Sequence, residues 1–181
     1  MTTTLSDQKL GELLRLIEDA DSVELKLTVP HSDHATAAGA LGLDPLDAEI
    51  RQVYFFDTPD LSLSQAGVVV RARRVQRKGD DSVVKLRPVV PDQLSKKLRK
   101  TRGFGVEVDA MPGGFVCSGS MKSPAQADVR ETVTGARSLR KLFSKEQQAF
   151  FAEYAGDGIE LGDLAVLGPI FVLKLKFTPR T

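Results

Sequence analysis

The stretch Val68–Pro88, VVVRARRVQRKGDDSVVKLRP, sets the narrowest limits on how this chain can fold. Arg71 and Arg73 stand two residues apart in a β-branched run, and Lys85 and Arg87 stand two apart in the next. Between the runs, Lys78-Gly79-Asp80-Asp81 reads as a turn. Residues two apart in a strand share a face. Each run therefore offers one mostly apolar face and one face with two cations, and pairing them as a hairpin would gather four cations on one side of a sheet. Like charges a few ångströms apart repel by about 1 kcal/mol per pair in water, and by more where water is scarce. Such a face is either solvated or holds a polyanion.

The same spacing recurs along the chain. Glu24 and Lys26 alternate with Leu25 and Leu27 in Ser22–Val29, Glu107 and Asp109 with Val106 and Val108 in Phe104–Asp109, and Lys174 and Lys176 with Leu173 and Leu175 in Ile170–Phe177. Five strands with charge at i and i+2 admit two readings. They share a polar interior, as in a barrel or tunnel whose inner faces carry charge, or they are separate solvated faces of an open sheet. On the first reading the cations suit an oligophosphate, Arg as a forked donor and Lys as a point charge. The carboxylates suit one or two hard divalent cations, Mg²⁺ or Mn²⁺. Together they stabilise the charge that develops in phosphoryl transfer, with no His, Ser or Cys nucleophile required.

The rest of the pattern frames these strands. Leu10, Leu13, Leu14 and Ile17 have helical spacing behind Ser6, which predicts a helix over 7–19. Ile50–Asp57 reads as a strand running into the turn Thr58-Pro59-Asp60; a helical turn over Leu61–Ala66 is then broken by Gly67. Gly113–Ser118 reads as a strand with Cys117 in the core, and Ile159–Val166 as a weak strand. Helices are expected over 123–134 and 138–155, with Ser144 an N-cap and Phe143, Phe150, Phe151 and Tyr154 facing the core. His31 and His34 have no third ligand nearby and read as a surface loop. Lys96, Lys97, Arg99, Lys100 and Arg102 lack the interleaved aromatics that stack bases, so they read as a solvated face rather than a nucleic-acid site.

Composition narrows the function classes. At 181 residues with 41% hydrophobic content, one domain spanning 1–181 is expected. A net charge of +1 argues against a protein that coats nucleic acid by bulk charge, so charge-driven function must come from local segregation. One cysteine excludes an internal disulfide and a cysteine zinc site. The N-terminal residues contain no apolar signal core and no run is long enough to span a bilayer, so no membrane partner and a cytoplasmic location are expected.

The run Tyr54-Phe55-Phe56-Asp57-Thr58-Pro59-Asp60-Leu61, followed by Gly67 and VVVRARR, resembles the CYTH domain, or triphosphate tunnel metalloenzyme, family. Val84-Lys85-Leu86-Arg87-Pro88 and Val106-Glu107-Val108-Asp109 carry the same resemblance, which extends from about Ser22 to Phe177. It implies an α+β fold, an antiparallel β-barrel (tunnel) with flanking helices. It also implies metal-dependent hydrolysis of inorganic triphosphate or an organic triphosphate, or cyclisation of ATP. By resemblance, Glu24, Glu107 and Asp109 would hold Mg²⁺ or Mn²⁺, and Lys26, Arg71, Arg73, Lys85, Arg87, Lys174 and Lys176 would line the phosphate path. Glu24, Lys26 and Glu107 would carry catalysis. Two departures stand out. The family's first-strand signature is Glu-x-Glu-x-Lys, and Ser22 occupies its first position here; Asp21 is adjacent but on the other face. The family also continues past the position of Lys176 into a further acidic strand, whereas Thr178-Pro179-Arg180-Thr181 ends this sequence. The tunnel is accordingly expected to be open for want of that strand, or completed by a partner chain in a homodimer. Both departures favour, as the alternative function, a non-catalytic module that binds an oligophosphate or nucleotide.

Overall fold

The computed structural model of the chain describes residues 6–176. Phe177, the expected end of the last strand, and Thr178–Thr181 lie outside the described residues. Seven strands form one sheet: β1 (Ser22–Leu25), β2 (Glu49–Asp57), β3 (Val68–Val75), β4 (Asp81–Leu86), β5 (Phe104–Met111), β6 (Gly114–Pro124) and β7 (Ala165–Lys174). Their order is β1-β5-β6-β4-β3-β2-β7. All neighbours are antiparallel except β1 and β5, which run parallel. That pair joins segments far apart in sequence, so no hairpin dictates its direction. No pairing joins β1 to β7 among the described residues, so the sheet is open.

Helices cover one face. Here α1 is Asp7–Glu18, α2 His34–Ala40, α3 Ser62–Gln65, α4 Lys96–Arg99, α5 Val129–Val133 and α6 Lys145–Tyr154. On this outer face Tyr54, Phe56, Val68, Val70, Ala72, Val84, Leu86 and Met121 pack against Leu139, Leu142, Phe143, Phe150 and Phe151. A smaller cluster of Val106, Val108 and Cys117 lies under Leu13 and Leu16 of α1. Each fully buried aliphatic or aromatic side chain contributes about 1.5–3 kcal/mol. The alternation that buries these residues turns Arg71, Arg73, Lys85, Glu107 and Asp109 to the opposite, inner face.

Three contacts hold the sheet in place under that inner face. Ser144 caps α6 in a capping box with Gln147. The Gln147 amide then donates to the backbone oxygens of Ser82 on β4 (2.9 Å) and Met121 on β6 (3.0 Å), and accepts from the Ser82 hydroxyl at 3.0 Å. The Asp57 carboxylate accepts from the backbone N–H groups of Thr58, Leu63 and Ser64, which fixes the turn between β2 and α3. Gly67, at φ 75°, lets the backbone of Arg87 approach so closely that a Cβ would lie 2.1 Å from its carbonyl oxygen. The Arg87 N–H donates to Gly67 O at 2.8 Å, tying the end of β4 to the start of β3.

Several sequence expectations change here. The expected strand Ser22–Val29 ends its ladder at Leu25, although the Lys26 N–H still bonds Ala110 O. β6 runs on to Pro124 because β4 pairs with it that far, Asp81 opposite Pro124, so the helix expected over 123–134 shrinks to α5. The helix expected over 138–155 is a 3₁₀ turn, Leu139–Leu142, then α6, split where Ser144 caps. Ile159–Val166 is not a strand of its own: a 3₁₀ turn, Leu161–Asp163, precedes β7, which starts at Ala165 and absorbs the end of that segment. His34 begins a helix rather than sitting in a loop. In the β3–β4 turn the left-handed residue is Arg77, at φ 61°, just ahead of the expected Lys78–Asp81 turn. In α1, the residues facing the sheet are Leu13 and Leu16; Leu10 and Leu14 are exposed.

Candidate phosphate and metal site

Register places the charged residues in rows across the inner face. Glu24 of β1 lies opposite Asp109 of β5, and Ser22 opposite Glu107. Glu107 in turn faces Ser118 of β6, and Lys85 of β4 faces Ser120 of β6. Arg71 of β3 stands opposite Val83 of β4 and Phe55 of β2. β1 and β3 are four strand spacings apart, about 19 Å in a flat sheet. The Glu24 and Glu107 carboxylates nevertheless act on the Arg71 guanidinium. Asp109, Ser118 and Ser120 are almost fully buried, on a face that no helix covers among the described residues. The sheet therefore curls over this face, and its own residues bury one another.

Asp109 is the centre. Its side chain has no exposed area and is ringed by cations: Lys26 Nζ 2.8 Å from Oδ1, Arg87 Nη2 3.4 Å and Lys85 Nζ 3.7 Å from Oδ2. Burial pushes the Asp109 carboxyl up, but Lys26, Lys85 and Arg87 outweigh it and hold it below the usual carboxylate range. Burial likewise pulls Lys26 down, and Asp109 and Glu24 more than reverse that. Lys26 Nζ also lies 3.4 Å from Glu24 Oε2, and Lys85 Nζ lies 3.3 Å from Glu107 Oε2. Glu24, Glu107 and Asp109 bring ligand oxygens within 4.8 Å of one another. Burial lowers the Arg71 guanidinium, and neighbouring Arg73 lowers it further. The Arg71 Nε, both Asp109 carboxylate oxygens and the Ser120 hydroxyl are buried without a hydrogen-bond partner; the cations around Asp109 approach outside hydrogen-bond geometry. No other buried side-chain polar atom among the described residues is left in that state. Native folds leave few such atoms, and here they converge on one place.

The residues expected from sequence fall into three groups. Glu24, Lys26, Lys85, Arg87, Glu107 and Asp109 form one connected cluster, with Arg71 at its edge. Arg73 is diverted: it forms a forked pair with Asp81, directly opposite on β4, with Nε 2.8 Å from Oδ1 and Nη2 2.7 Å from Oδ2. Lys174 shares the inner face but lies opposite Glu49, whereas Arg71 lies opposite Phe55. Those positions are six residues apart along β2, about 20 Å of strand. There Lys174 and Lys176 line a 290 Å³ cavity with Asp44, Asp47, Glu49 and Lys78. Asp21 is a structural group, accepting the Val106 N–H at 2.6 Å.

Sequence reasoning passed over Asp81, Ser118 and Ser120. Asp81 reads as a turn residue, and only the register of a short hairpin could have put it against Arg73. Serine in a strand leaves no signal beyond its parity with Glu107.

The three carboxylates are an all-oxygen donor set of the kind that hard divalent cations take. Asp109 adds two buried oxygens without hydrogen bonds. The residues present thus fit Mg²⁺ or Mn²⁺. Among the described residues no helix is long and apolar enough to cross a membrane.

The sequence matches no family model and no curated protein. Its fold does match solved structures. A Bacillus halodurans protein proposed to be an adenylate cyclase superposes with a TM-score of 0.51 at 14% identity, over 80% of this chain and 60% of that one. HpAC1 of Hippeastrum, proposed to be an adenylyl cyclase and reported to have a dominant triphosphatase activity, superposes with a TM-score of 0.48 at 18% identity, with the same shares of the two chains. This chain thus spans 60% of the length of each. The likeness to the Bacillus halodurans protein is one of fold: a mostly antiparallel, open sheet flanked by helices.

Proposed function

We propose that the inner face binds a triphosphate together with Mg²⁺ or Mn²⁺ and hydrolyses its terminal phosphoanhydride. The observation that carries this reading is the meeting of three carboxylate ligands within 4.8 Å, inside a ring of Lys26, Lys85 and Arg87. Glu24, Glu107 and Asp109 would hold the metal. When bound, it would supply Lewis acidity and neutralise phosphate charge. Lys26, Lys85 and Arg87 would turn from the carboxylates to phosphate oxygens, and Arg71 would add a forked donor from the next strand. Their positive field favours the extra charge of the transition state over the ground state, the kind of difference that lowers a barrier. Water attacks the terminal phosphorus, the bond to the bridging oxygen breaks with its electron pair leaving on the diphosphate, and the proton the water gives up passes to solvent. The CYTH-like motifs around Asp57, Arg71, Lys85 and Glu107 support the same assignment, and the proposed cyclase activity of the Bacillus halodurans protein belongs to related nucleoside-triphosphate chemistry.

One observation favours a second reading. Each carboxylate already has a cation beside it, Glu24 with Lys26, Glu107 with Lys85 and Asp109 with all three. A cluster so balanced could admit a phosphate chain through its cations alone and bind without turnover. Phosphate release from inorganic triphosphate separates the two. Hydrolysis requires release that depends on Mg²⁺ or Mn²⁺, stops with chelator, and falls at least 100-fold in Glu107→Ala. Binding without release supports the second reading, and neither binding nor release overturns both.

A further inference from the structure

Three serines of β4 and β6 are almost fully buried, and their hydroxyls differ in what they meet. Ser82, on the outer face, donates to Gln147 at 3.0 Å. Ser118, on the inner face, donates to Glu107 O at 3.3 Å. Ser120, one step further along the same face, is 1% exposed and its hydroxyl has no partner. A buried hydroxyl without a partner is disfavoured, and a fold keeps one where something else makes use of it.

The surroundings say what that is. Ser120 stands between Lys85 of β4 and Gly105 of β5 in one row of the sheet. Gly105 carries no side chain, and a Cβ there would meet only Asp21 Oδ2, at 3.7 Å, within 4 Å. The row therefore leaves room beside the hydroxyl. Lys85 can only donate, and its ammonium leans toward Glu107 and Asp109. An anionic oxygen accepts from both Lys85 and Ser120, and the ammonium favours it over a neutral one. We propose that the Ser120 hydroxyl donates to an oxygen of the bound phosphate chain, beside the Lys85 ammonium. This rests on the phosphate reading above and adds a residue that no charge pattern marks.

Because the hydroxyl is unsatisfied without ligand, its removal has opposite effects on fold and on binding. Ser120→Ala is expected to keep or raise the Tm of the ligand-free chain. It is expected to raise the Kd for inorganic triphosphate in Mg²⁺, measured by calorimetry, about tenfold, the loss of one hydrogen bond to a charged group. Ser120→Thr, which restores a hydroxyl, should recover part of the affinity. If the chain binds triphosphate and Ser120→Ala binds it equally well, the Ser120 assignment fails and the phosphate reading stands. A fall in Tm, with or without a change in Kd, would show that the hydroxyl has a structural partner, and also overturns the assignment. If the unsubstituted chain gives no binding heat, the phosphate reading fails and takes Ser120 with it.

Discussion

The two ends of the inner face carry the same ingredients and use them differently. At one end, Glu49 is held by Arg51 at 2.6 Å and by Lys78, whose side chain is 60% exposed. The Lys78 and Arg51 contacts lower its carboxyl to about 2. None of the buried side-chain polar atoms left without a hydrogen-bond partner among the described residues lies there. At the other end, Asp109 has the same kind of neighbours but no exposure, and its oxygens, Arg71 Nε and the Ser120 hydroxyl are unsatisfied. Both ends show a cation two residues from a carboxylate, Glu24 and Lys26 at one and Glu49 and Arg51 at the other. What separates a site from a decorated surface is burial with unmet hydrogen-bonding capacity, because burial raises the cost of an unmatched charge while water removes it.

Substitutions can break that contrast. The largest effect is on turnover, where Glu107→Ala should lose at least 100-fold in phosphate release while Glu49→Ala loses none. Next is stability. Asp109→Ala leaves Lys26, Lys85 and Arg87 facing one another without their shared counter-ion, an expected loss of about 3 kcal/mol, or about 6–12 °C in Tm. Glu49→Ala should cost less, since its partner Lys78 is largely exposed; an equal loss at both ends would erase the distinction.

Acid titration sharpens it at smaller scale. Asp109 has a folded pKa below its unfolded value, so its stabilisation is present above pH ~4. It is lost as pH falls through the folded value. In denaturant unfolding followed from pH 6 to 2, Asp109→Asn should flatten the acid limb. Glu49, lowered to about 2, contributes over the same window, but its exposed partner makes the flattening in Glu49→Gln the weaker. The smallest effect is at Arg73. Because Asp81 occupies its fork, Arg73→Ala should raise the triphosphate Kd less than Arg71→Ala, and calorimetry on both variants checks the order.

Much of this was legible before the structure. Glu107 and Asp109, Glu24 and Lys26, and Lys85 and Arg87 share a face because strand parity decides it, and parity is local. The outer-face aromatics Phe143, Phe150 and Phe151 followed from helical spacing for the same reason. Pairing decisions were not legible. The parallel β1–β5 contact links residues over eighty positions apart, with no turn to announce it. Lys174 has the right spacing and the right face, but the β2–β7 register sends it to the Glu49 end. Arg73 has the same parity as Arg71, and one opposite residue, Asp81, decides its fate. Gln147 and Ser120 do their work through three-dimensional neighbours that no sequence period encodes.

The most direct test compares triphosphate binding, by calorimetry in Mg²⁺, for the chain, Lys85→Ala and Lys174→Ala side by side. A site built around Asp109 requires Lys85→Ala to raise the Kd about tenfold or more and Lys174→Ala to leave it unchanged. Equal losses would show that the phosphate path runs the whole length of the inner face, and a loss only in Lys174→Ala would place the site at the Glu49 end instead.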